Sequence, residues 1–273
     1  MPLRLPTDPG AWPLIGPAEP PPFELLNPGG RAPVLLVADH ASNRIPAARD
    51  RLGLTEAVLE RHVTWDIGTR AVVAELAARL DAPAVAEGYS RLLVDLNRSL
   101  EDPTAMPEVS DGIVIPGNRS ISARERRLRV QSFYTPYRRA IEFMLHRQRR
   151  VVPAPALVAI HSFTPVMEGR ARPWQIGVLW DKDPRIPVPL MEALRRRPEG
   201  LVVGDNEPYS GRHPADYTID HHAEAAGLPH VSIEVRQDLV DTGTGACRWA
   251  ALLADALQPV LADPALYRLW EGP

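Results

Sequence analysis

The chain is poor in cysteine: Cys247 is the single one in 273 residues. That excludes an internal disulfide framework and fits a reducing compartment. Cys247 sits in an apolar helical pattern, where a buried, inert thiol is expected rather than a nucleophile. Long hydrophobic runs are also absent, so no segment reads as a membrane span. The start, Met1-Pro2-Leu3-Arg4-Leu5-Pro6, lacks the continuous apolar stretch of a secretory signal, and a soluble, cytoplasmic protein is expected. A basic excess is missing too. The formal net charge of −3 gives no electrostatic footprint for nucleic acid. Neither a GxGxxG nor a P-loop pattern occurs, which removes the usual nucleotide fingerprints, and no internal repeat is visible.

Proline, by contrast, is abundant: 30 residues, crowded into the first 33 positions and into loops. Proline donates no ladder hydrogen bond, so these residues punctuate the elements. Residues 1–33, with Pro20-Pro21-Pro22, read as an extended arm packed on the surface or partly loose, and residues 34–273 as one domain. With 45% hydrophobic and 24% charged residues, the chain has the balance of a globular protein large enough for a sizeable core.

The run Val34-Leu35-Leu36-Val37-Ala38 leads straight into Asp39, His40 and Asn43. A short apolar run bounded by a turn reads as a buried strand, and open α/β sheets bind ligands at the C-terminal ends of their strands. The layout recurs. Ser90–Arg98 reads as a strand ending in Asn97-Arg98, Ala156–Ile160 ends in His161, Leu201–Val203 is followed by Asn206, and Val231–Val235 carries Glu234. Trp174–Trp180 is a further strand, and Ala84–Ala86 a short one. Helices are expected over 67–80, 189–197, 216–226 and 242–261, and from Ser122 to about Arg150 with a kink at Pro136. Residues 99–119 read as a long, functional loop. The arginines of the 122–150 helix read as a solvated face. This alternation implies an α/β fold: a single domain with a mixed, mostly parallel sheet and helices on both faces.

His40 and His161 end different strands and could meet across the sheet as zinc ligands, since a catalytic zinc site usually draws three ligands from imidazole, carboxylate or thiolate. Asp66 is the better carboxylate candidate for the third place, and Asn43 the weaker alternative, because an amide oxygen binds zinc poorly. As a structural residue Asp66 would cap the helix beginning at Ile67. Glu234 stands in an apolar strand, where burial raises a carboxyl pKa toward the range of a general base; its alternative is a salt bridge with Arg236 or Arg98. Asn97-Arg98 offers a planar fork suited to a carboxylate, with Arg91 and Arg236 as possible helpers. His213, His221, His222 and His230 form a late histidine-rich region; being adjacent on a helix, His221 and His222 should not share a pocket.

Together these residues resemble the N-formylglutamate amidohydrolase family. The segments that carry the likeness are Val37–Asn43, Trp65–Gly68, Ser90–Arg98, Ile160–Pro165, Gly204–Tyr209, Tyr217–His222 and Ile233–Leu239. The resemblance implies a phosphorylase/hydrolase-like fold related to zinc carboxypeptidases and aspartoacylases. It also implies hydrolysis of a linear amide, such as N-formyl-L-glutamate to formate and glutamate. In those relatives an Asn-Arg pair holds the substrate carboxylate and a late Glu is the base; Asn97-Arg98 and Glu234 match in order. Asn43 departs from the pattern, standing where the relatives carry a zinc-binding Glu. The implied machinery is Zn(2+), or another divalent metal, on His40, Asp66 and His161, with Glu234 as base and Arg91 at the oxyanion. Asn97 and Arg98 would hold the substrate carboxylate, with Asn206, Tyr209 and Arg236 also on the substrate; His222 and Tyr209 would orient the acyl group. The partner is a small carboxylated N-acyl compound. A deacylase or peptidase for another N-acyl amino acid, or a non-catalytic carboxylate-binding module, are the rival readings.

Overall fold

A computed structural model describes residues 5, 9–212 and 217–272. Its centre is a seven-stranded sheet. In chain order the strands are β1 (Phe23–Leu26), β2 (Val34–Ala38), β3 (Ala84–Glu87), β4 (Ala156–Phe163), β5 (Ile176–Leu179), β6 (Val203–Asp205) and β7 (His230–Arg236). Across the sheet they run β1-β3-β2-β4-β7-β5-β6. The inner four, β3, β2, β4 and β7, are mutually parallel. At the flanks β1 is antiparallel to β3, and β5 is antiparallel to β7. The expected mixed, mostly parallel α/β sheet is therefore present.

Besides a single turn at Glu56–Leu59, the helices are α1 (Thr69–Leu80), α2 (Ala123–Arg129), α3 (Thr135–Gln148), α4 (Pro187–Arg195), α5 (Tyr217–His222) and α6 (Gly243–Leu261). Strand β2 explains the layering. Its five residues are fully buried because both faces are covered. Val34, Leu36 and Ala38 join α1, α4 and α6 in one core, while Leu35 and Val37 join residues of α3 in the other. Cys247 in α6 is only half-buried, and its Sγ accepts from Arg79 at 3.5 Å. No helix among the described residues is long and apolar enough to cross a membrane.

Several expectations shift. The first 33 residues supply β1, and Leu14 enters the core with its amide donating to Ser132 Oγ at 3.1 Å. The expected long helix is present as α2, a π-helical turn over Val130–Tyr134 and α3 in unbroken succession, with the π turn just ahead of Pro136, which cannot donate. Ser90–Arg98 is not a strand but a series of turns. Its apolar residues are buried all the same, because side chains replace the ladder. Ser90 Oγ accepts from Leu92 N, Asp95 Oδ1 accepts from Asn97 N, Asn118 Nδ2 donates to Leu92 O, and Arg129 donates to Leu93 O. The 99–119 stretch includes a short hairpin of Val109–Ser110 with Ile113–Val114. The start of the expected 216–226 helix, Asp216, and His213 both lie outside the described residues.

Gly68, at φ 82°, opens α1 in the left-handed region, and a Cβ there would stand 2.2 Å from the Val240 carbonyl oxygen. Gly68→Ala is expected to destabilise the protein by about 2 kcal/mol or more, from left-handed strain plus the clash, measured by urea unfolding.

Candidate active site

Four backbone positions bring the chemistry together. His40 follows β2 with φ 60°, an uncommon conformation for a non-glycine residue. Two bonds hold it there: its amide donates to Glu87 Oε2 at 2.5 Å and its carbonyl accepts from Asp66 N at 2.8 Å. Asp66 therefore rides on the same turn, just ahead of α1. His161 lies on β4 and Glu234 on β7, and the two are direct register partners on adjacent parallel strands. Side chains at the same register point to the same face.

The rings of His40 and His161 are 5.4 Å apart, although the residues are separated by more than a hundred positions. Asp66 Oδ2 sits between their Nδ1 atoms, 3.4 Å from His40 and 2.9 Å from His161. The opposite ring nitrogens also face carboxylates. His40 Nε2 is 2.7 Å from Asp95 Oδ1, and His161 Nε2 is 3.7 Å from Asp39 Oδ2. Arg91 reaches Asp95 Oδ2 at 2.7 Å and Asp66 Oδ1 at 3.4 Å. Burial would raise both acids, but the charges of Arg91 and His40 for Asp95, and of His40 and His161 for Asp66, hold them well below the ordinary carboxylate range. For His40, burial and Arg91 act downward, yet Asp95 and Asp66 outweigh them and raise its pKa to about 9.

These residues open onto a cavity of about 300 Å³, lined also by Asn97, Arg98, Tyr209 and Glu234. That volume suits a small molecule. Asn97 Oδ1 accepts from Thr218 N at 2.8 Å, and the Arg98 carbonyl accepts from Tyr134 Oη at 3.1 Å, so both are anchored from outside the cavity. Tyr209 Oη accepts from Arg172 Nη1 at 3.0 Å, and that guanidinium also lies over the Tyr209 ring.

Other candidates are placed elsewhere. Asn43 donates to Leu59 O and Glu60 Oε1, because the left-handed turn at His40 takes the chain away from the imidazoles. Asn206 braces a turn instead: its Oδ1 accepts from Trp180 N and Gly211 N. Arg236 pairs with Asp238, two residues along, at 2.8 Å, rather than with Glu234. His222 does not line the cavity; it is buried while its neighbour His221 is exposed, as helical spacing requires, and the two rings meet edge-on with centres 4.9 Å apart. Asp66 caps no amide with its side chain; Gly68 is the N-cap residue of α1. Arg129 and Arg138 leave the solvated face and are buried. Sequence reasoning missed Asp39, Asp95 and Glu87 as supports. Asp39 and Asp95 were legible as acids within the two polar strand-end motifs, whereas nothing local marked Glu87.

The model of the N-formylglutamate amidohydrolase family matches residues 32–240. The chain belongs to this family. N-formylglutamate deformylase of Pseudomonas aeruginosa is 25% identical over 251 residues, covering 86% of this chain and 91% of its own length. Among solved structures, a gene product of Agrobacterium tumefaciens has a TM-score of 0.86 and 34% identity, over 91% of this chain and 98% of that one. N-formylglutamate amidohydrolase from Ralstonia eutropha JMP134 shares the fold, with a TM-score of 0.67 and 18% identity over 88% of this chain and 97% of its own. The span matched to the amidohydrolase family contains His40, Asp66, His161 and Glu234 together.

Proposed function

We propose that this amidohydrolase cleaves the formyl amide of N-formyl-L-glutamate, giving formate and glutamate. The observation that carries the reading is the placing of Glu234 opposite His161, on the wall of the cavity that also holds His40, Asp66 and Arg98.

The donor set fits a zinc ion. Two imidazoles and one carboxylate are a known catalytic combination, and each imidazole is backed by a further acid, as metal-bound histidines usually are. His40, Asp66 and His161 would hold the ion, which would take the place of a proton between the ring nitrogens and Asp66. When bound, it supplies Lewis-acid polarisation of the amide carbonyl and a water of lowered pKa. Glu234 takes a proton from the water as the water oxygen bonds to the formyl carbon. It then delivers that proton to the amide nitrogen as the C–N bond breaks, so formate and the free amine leave. Arg98, with the Asn97 amide beside it, grips the substrate carboxylate, and Tyr209 borders the acyl end. Arg91 is chiefly a positioning residue, since its guanidinium spans Asp66 and Asp95.

Formate release from N-formyl-L-glutamate, compared with N-acetyl-L-glutamate and a formyl dipeptide, tests the reading. Turnover of the first substrate is expected, falling on chelation and returning with zinc. Turnover of only the acetyl or peptide substrate would move the assignment to another deacylase, and binding without turnover in zinc buffer would make the protein a carboxylate-binding module. Asp95→Asn is expected to weaken zinc binding by about 10–100-fold, read by competition with a chromogenic chelator, because the backing of His40 changes while its ligand atom stays.

A further inference from the structure

Away from the cavity, a second group of metal-ligating side chains comes together. Glu142 on α3 and His221 and His222 at the end of α5 each offer one donor atom, and all three atoms lie within 4.8 Å of one another. We propose that Glu142, His221 and His222 form a second divalent-metal site, of the zinc class, that clasps α3 to α5.

His222 is 6% exposed, and its Nε2 has no hydrogen-bond partner among the described residues. A buried imidazole nitrogen left in that state costs stability unless something coordinates it. The two rings stand edge to face, at 86° and with centres 4.9 Å apart. Two imidazoles and a carboxylate again make a set that suits zinc and neighbouring first-row ions, with a water to complete the shell. Bonds of about 2.0 Å in a tetrahedron place donors roughly 3.3 Å apart, so closure asks for an approach of up to about 1.5 Å. Glu142 and His221 reach solvent and can supply it, with His222 as the fixed member. The local cation Arg138, one turn before Glu142, lies over the rings of Tyr134 and Tyr217, at 5.1 and 4.8 Å.

The clasp would act on the active site through its supports. Thr218 at the start of α5 donates to Asn97, and Tyr134, just before α3, donates to the Arg98 carbonyl. Joining the two helices therefore fixes both anchors of the Asn97-Arg98 pair.

The test is zinc stoichiometry of the full chain by equilibrium dialysis and metal analysis, for wild type, His221→Ala and Glu142→Gln. Each variant is expected to hold one equivalent fewer than wild type and to lose the zinc-dependent rise in thermal midpoint, while unfolding remains cooperative. Retention of that equivalent by either folded variant overturns the proposal. Because the readout is a difference, it stands whether or not His40, Asp66 and His161 hold an ion of their own.

Discussion

Glu234→Gln is expected to lower kcat by about 10²–10⁴-fold, the range associated with removing a general acid–base group. The amide keeps the size of the side chain but cannot carry a proton from water to nitrogen. KM should change little if Glu234 acts as the proposed base, since it stands opposite His161 and the carboxylate grip is assigned to Asn97 and Arg98. Zinc content should also be unchanged, since the group of donors that close on one point comprises His40, Asp66 and His161. Parallel assays of formate release and bound metal decide the matter. Loss of zinc from the variant would assign Glu234 to coordination, and unaltered turnover would place the base elsewhere.

Arg129→Ala is expected to cost about 3–5 kcal/mol of stability, the range for breaking a buried, hydrogen-bonded charge pair. The side chain is 1% exposed. It donates to Glu125 at 3.0 Å, to the carbonyls of Leu93 and Gly117 at 3.0 and 2.9 Å, and to Asn118 Oδ1 at 2.6 Å. Truncation strands the Leu93, Gly117 and Asn118 acceptors, whereas Glu125, partly exposed, keeps Arg49. It also loosens the turns that carry Asp95, Asn97 and Arg98, so turnover should fall more than folding alone requires. Urea unfolding, followed by kinetics at a temperature where the variant is folded, separates the two effects. A loss below about 1 kcal/mol would mean that water reaches the site and replaces the guanidinium.

Most of the strands, and the polar residues at their ends that meet at the cavity, were legible because their signals are local. A five-residue apolar run ending in Asp39-His40 reads as a buried strand with a polar end, and Val231–Val235 with Glu234 reads the same way. The register that sets Glu234 against His161 is a tertiary fact, absent from either segment alone. Ser90–Arg98 misled because a short apolar run such as Leu92-Leu93-Val94 reports burial, not ladder pairing. Here Asn118 and Arg129, distant in sequence, satisfy the backbone. His222 was drawn toward the catalytic centre by its place in a family segment, whereas helical packing turns it against α3. Arg129 looked like one more member of a basic run, since nothing nearby in sequence announces that its partners lie at 93, 117 and 118.

Strand β1 has a consequence for how the protein behaves in solution. Phe23–Leu26 pairs with β3 residue for residue, from Phe23 against Glu87 to Leu26 against Ala84. It is the outermost strand on that side, so shortening the chain to residue 34 would bare the amides and carbonyls along one edge of β3. Such an edge recruits strands from other molecules. Removal of β1 is therefore expected to show first as aggregation rather than as a change in chemistry.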